Sequence, residues 1–88
     1  MASKLDQIHL TVGAQLRIES KPVNDTTRVI GRDLQYDFYT VQLFLVAIER
    51  TLFEGNPSHK FTWDDDFAAA TLKMTISELI GAIDARTV

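Results

Sequence analysis

The hydrophobic period changes once along this chain, and each period demands a different surface to bury against. Ile8, Leu10, Val12, Ala14, Leu16 and Ile18 alternate with His9, Thr11, Gly13, Gln15, Arg17 and Glu19, the pattern of a half-buried strand. Further on, Phe38, Val41, Leu45, Ile48 and Leu52 step by three and four, the pattern of a helix seam. The chain has 88 residues, and one this short buries only roughly 60% of the surface its unfolded form exposes. A single domain over 1–88 with a thin core is therefore expected.

The alternation predicts a strand over about 7–19. Ser20-Lys21-Pro22-Val23-Asn24-Asp25 follows as a turn signal, because Pro fixes φ and Asn or Asp bonds its own backbone. Thr26, Thr27, Val29 and Ile30 then supply β-branched weight for a second strand over about 26–32. A competing helical pattern joins Leu5, Ile8, Val12 and Leu16, but it leaves Leu10 and Ile18 on the wrong side. It is the basis of an alternative, all-α three-helix reading.

The second half reads as two helices, about 34–54 and 63–85. Gly55 and Pro57 mark the end of the first, with Gly55 placed to adopt a left-handed cap. Thr62-Trp63-Asp64-Asp65 has the spacing of a capping box, and Asp64, Asp65 and Asp66 sit where a helix dipole favours negative charge. The seam Ala69, Leu72, Ile76, Leu79 and Ile83 matches that of the first helix. The fold class expected is thus α+β: an N-terminal β-hairpin followed by an antiparallel two-helix hairpin.

Composition narrows the functions. Formal charge is -3, with 45% hydrophobic and 24% charged residues, the balance of an ordinary soluble domain. Residues 1–33 carry a net +1 and residues 34–88 a net -4, so the helical part repels phosphate backbones. No apolar run reaches the roughly 18 residues of a membrane span, and the start lacks a signal peptide's apolar region. A cytoplasmic location without membrane contact is expected. Cysteine is absent, which removes disulfides and thiolate chemistry together.

Motifs for chemistry are few. Three adjacent carboxylates at 64–66 point about 100° apart on a helix, so helix capping explains them better than a metal site does. His9 and His59 share no ligand spacing, and Ser58 beside His59 lacks a positioned third group. The four glycines form no phosphate-binding loop. The sequence therefore predicts a non-enzymatic protein with no cofactor and no metal.

What remains is surface. All eight aromatics, Tyr36, Phe38, Tyr39, Phe44, Phe53, Phe61, Trp63 and Phe67, lie in the helical half. Those left over from a thin core are candidate anchors for a partner. The sequence predicts a small protein-protein interaction module, an adaptor, assembly factor, inhibitor or regulatory subunit, acting as a homodimer. Tyr36, Tyr39, Phe44, Arg50 and Trp63 are its expected interface residues. The alternative is a nucleic-acid-binding module in which Arg17, Arg28 and Arg32 line the basic β-hairpin.

Overall fold

The computed structural model describes residues 3–88 and holds four helices: α1 (Lys4–Ile18), α2 (Phe38–Gly55), α3 (Asp65–Thr71) and α4 (Ile76–Ala85). The α+β expectation is corrected. Among the described residues there is no sheet, only two isolated antiparallel bridges, Val29 with Thr75 and Phe61 with Thr87.

The segment expected as the first strand is α1. Ser3 caps it: the Ser3 hydroxyl accepts from Asp6 N–H at 3.1 Å, and the Asp6 carboxylate accepts from Ser3 N–H at 3.4 Å. Two of the orphan donors at the helix start are thereby satisfied. Ile8, Val12 and Leu16 are buried, whereas Leu10 and Ile18 remain 70% and 74% exposed. A step of four satisfies a period of two and of 3.6 alike, so the same three residues serve either reading. The helix closes with Ser20 in the left-handed region (φ 59°). Lys21 N–H bonds Leu16 C=O at 2.8 Å and Ser20 N–H bonds Arg17 C=O at 3.0 Å, the paired bonds of a Schellman motif. Ser carries a Cβ penalty in that conformation. Ser20→Gly is accordingly expected to stabilise the fold by about 0.5 kcal/mol, net of glycine's larger unfolded-state entropy, as read from the urea midpoint.

The expected second strand is part of the long connection from α1 to α2. Its backbone bonds go to the α3–α4 turn, not to residues 7–19. Ile30 N–H reaches Met74 C=O and Gly31 N–H reaches Leu72 C=O, both at 2.9 Å. Ile76 and Ser77 N–H groups return to Arg28 and Thr26 carbonyls at 3.0 Å. Ile30 and Leu34 enter the core from this connection.

α2 starts at Asp37, whose side chain accepts from Thr40 N–H while the Thr40 hydroxyl engages Asp37 N–H. The bond from Thr40 N–H foremost, and then the Thr40 hydroxyl donating to Asp37 Oδ1 at 2.9 Å, hold the Asp37 carboxyl below its ordinary range. Val41, Phe44, Leu45, Ile48 and Leu52 face inward. The helix ends at Gly55, but the chain leaves through extended Asn56 (φ -154°), and no glycine has positive φ.

The single helix expected over 63–85 is two. Asp64 caps α3 by accepting from Phe67 N–H at 2.9 Å. A fresh capping box then starts α4: the Thr75 hydroxyl accepts from Glu78 N–H, and Glu78 returns a carboxylate to Thr75 N–H. The break turns α3 so that Phe67, Ala68 and Thr71 are buried and Ala69 is exposed. α1 packs against both α2 and α4, and α2 packs against α3. Lys4 Nζ donates to the Asp84 and Thr87 carbonyls at 3.2 and 2.7 Å, clasping the start of α1 to the end of α4.

Candidate functional site

α2 carries two seams on roughly opposite sides. The inner seam is core. On the outer side Tyr39, Leu43, Val46, Arg50 and Phe53 step four, three, four, three, with Phe38 at the edge. Exposure of the apolar members runs from 40% at Val46 to 68% at Tyr39. At 100° per residue these five positions fall within one narrow arc. Their spacing is that of a coiled-coil contact line.

A cleft of about 480 Å³ opens beside the C-terminal half of this stripe. Val46, Glu49, Arg50 and Phe53 of α2 form one wall, and the segment from His59 to Thr62 forms the other. The second wall is set by a short antiparallel pairing, Thr62 N–H to Arg86 C=O and Val88 N–H to Lys60 C=O, both at 3.2 Å. Glu49 accepts from the Trp63 indole N–H at 2.8 Å. His59 is oriented through both ring nitrogens, with Nδ1 3.1 Å from Val88 C=O and Nε2 3.4 Å from the Asn56 side-chain nitrogen. Nδ1 therefore donates and Nε2 accepts in the tautomer these partners select. Ion pairs among the described residues are Lys4 with Asp84 and Arg32 with Asp33. Arg50 and Lys60 thus face the cleft with no carboxylate at ion-pair distance.

The expected interface residues divide. Tyr39 and Arg50 lie on the outer stripe, and Trp63 stands at its margin through the bond to Glu49. Tyr36 and Phe44 do not reach the surface: they are 5% and 1% exposed and meet edge to face with centroids 5.4 Å apart. The Tyr36 hydroxyl donates to Glu19 Oε1 at 2.9 Å. Burial first, and then that bond, push the phenol above its usual range. Leu43, Val46 and Phe53 belong to the stripe and were not singled out from sequence as interface. The signal was present as a second four-three spacing, offset from the inner one.

The residues of the nucleic-acid alternative do not line a ribbon, because the hairpin is absent. Arg17 is exposed in the last turn of α1, and Arg28 is half-buried in the long connection. Arg32 Nε bonds Asp33 Oδ1 at 3.1 Å. The acidic triplet is also dispersed: Asp64 caps α3, and Asp65 accepts from Gln42 Nε2 at 3.1 Å. Among the described residues no three metal-ligating side chains converge, and no helix is long and apolar enough to cross a membrane.

Comparison with protein-family models, curated proteins and solved structures finds no match.

Proposed function

We propose that this protein is a protein-contact module whose docking surface is the outer stripe of α2. The observation that carries the reading is the exposed four-three run Tyr39, Leu43, Val46, Arg50 and Phe53, apolar at every position but Arg50, on a helix whose other face is already buried. Tyr39, Phe53 and, at the edge, Phe38, aromatics of roughly 150–250 Å² each and about half exposed, together with Leu43 and Val46 leave on the order of 500 Å² of apolar area in one patch. Single exposed apolar residues are ordinary, but a contiguous patch of several hundred Å² marks a contact site. Leu10 and Ile18 on α1 are such singles.

The spacing also selects the occupant. A seam of this repeat takes the ridge of another α-helix, whose knobs enter between its side chains. Arg50, the one charged residue in the line, sets which partner registers are tolerated, since burying it without an anion is costly.

The test compares retention of binding proteins from the native source by three forms of the chain. Tyr39→Ala combined with Leu43→Ala is expected to lose what the wild type retains, its own copies included. Leu10→Ala combined with Ile18→Ala, altering as many apolar residues on α1, is expected to retain it. Equal retention by the two double variants would remove the assignment to α2.

A further inference from the structure

The α2 stripe is centred on Val46, with Tyr39 and Phe53 seven residues to either side of it. Resting on the docking reading above, we infer that its occupant is the α2 stripe of a second copy of this chain, packed antiparallel about a two-fold axis at Val46. Such an axis sets Val46 against its own counterpart, Tyr39 against Phe53 of the second copy, and Arg50 against Gln42 of the second copy. A two-fold interface uses one patch twice, so every favourable pairing occurs in duplicate.

Placement and charge support this register, and area supports the pairing. The cleft wall contributed by α2 is Val46, Glu49, Arg50 and Phe53, and the positions facing these across the axis are Val46, Leu43, Gln42 and Tyr39. Tyr39, the most exposed aromatic, is thereby seated as a peg over the apolar side of the second copy's cleft. Charge agrees. Arg50 and Lys60 face the cleft without a carboxylate partner, and the residue brought opposite Arg50 is Gln42, whose amide already holds Asp65. Each copy's Arg50 is thus brought toward Asp65 of the other. Area agrees as well: two patches on the order of 500 Å² give a total of about 1,000 Å², the lower bound for a specific interface. The dimer is accordingly reversible.

The absence of cysteine makes a direct test possible. Under mild oxidation Val46→Cys is expected to form a disulfide-linked dimer, because only a residue on the axis meets itself within disulfide reach. Tyr39→Cys alone and the α1 control Leu10→Cys are expected to stay uncrosslinked, whereas Tyr39→Cys mixed with Phe53→Cys is expected to link. In light scattering on a sizing column, the wild type should show twice the monomer mass when concentrated and return to monomer on dilution. Tyr39→Glu should be monomeric throughout. Arg50→Asp and Asp65→Arg should each reduce the dimer, and the two combined should restore it.

A monomer at every concentration, or Val46→Cys linking no faster than Leu10→Cys, would overturn the proposal. A wild-type monomer whose α2 variants still lose a retained protein would sink the second copy alone. A monomer whose α2 variants lose nothing would sink the docking reading as well.

Discussion

Phe44→Ala should cost the protein about 3–5 kcal/mol of unfolding free energy, the range for truncating a fully enclosed aromatic side chain. Phe44 is 1% exposed and stacks edge to face on Tyr36 at 5.4 Å, so the loss combines transfer, cavity and aromatic-pair contributions. Against the roughly 5–15 kcal/mol available to a whole domain, this leaves little margin at physiological temperature. Urea denaturation followed by far-ultraviolet dichroism would measure it. Phe44→Leu, which keeps most of the volume, should cost about 1 kcal/mol. Tyr39→Ala, on the outer face of the same helix, should change the stability of the monomer by no more than about 0.5 kcal/mol. If Phe44→Ala were as mild as Tyr39→Ala, the inner and outer faces of α2 would have been assigned the wrong way round.

The second large effect is expected at Gly31. A Cβ there would lie 2.7 Å from the Leu72 carbonyl oxygen and 3.2 Å from Leu72 Cβ. That carbonyl already accepts the Gly31 N–H at 2.9 Å, so it cannot withdraw without breaking the bond. The backbone conformation is not the obstacle, since φ is not positive; close approach is. Gly31→Ala should push residues 26–31 away from 72–77 and cost about 1–3 kcal/mol, as overpacking does elsewhere. Gly13 supplies the contrast. It lies inside α1 with nothing within 4 Å of its would-be Cβ, so Gly13→Ala should stabilise by about 0.5–1 kcal/mol. Paired thermal melts of the two variants, shifting in opposite directions, would establish both assignments; a neutral Gly31→Ala would mean that the connection is not seated on the α3–α4 turn.

These expectations show which parts of the fold were legible in the sequence. α2 was, in its seam from Val41 to Leu52 and its Gly55–Pro57 stop; its start was not, since the helix begins at Phe38 after an Asp37 cap and not at about residue 34, and Phe38, expected at the head of the seam, is 42% exposed. α1 was ambiguous for a geometric reason: Ile8, Val12 and Leu16 step by four, and the Leu10 and Ile18 that completed an apparent alternation are solvent-exposed. Ser3-x-x-Asp6, a capping pair directly ahead of the pattern, favoured the helix. The β-branched run at 26–32 is mostly turn, bridged only at Val29, and its longer-range backbone bonds go to a turn more than forty residues away; no local pattern names so distant a partner. Thr75-Ile-Ser-Glu78 is a full capping box in plain sight. It was masked because Leu72, Ile76, Leu79 and Ile83 continue a helical step across the break.

The site was half legible for a related reason. Eight aromatics in one half of a small chain exceed what its core needs, and that much follows from counting. Which of them turn outward depends on helix phase, which the inner seam determines: Phe44 falls with Val41 and Ile48, whereas Tyr39 and Phe53 fall with Leu43 and Val46. Tyr36 precedes α2, and a left-handed Gln35 (φ 59°) turns the chain immediately before it. Helical periodicity says nothing about such a position.

The hydrogen bond from Trp63 to Glu49 gives the molecule a built-in optical gauge. Trp63 is the only tryptophan, and its indole is tethered to a side chain that walls the cleft. Indole emission responds to the polarity around the ring and to the carboxylate on its N–H. An occupant that engages Glu49 is expected to shift that emission, so occupancy of the α2 face can be followed by intrinsic fluorescence, without a label, a tag or any change to the chain.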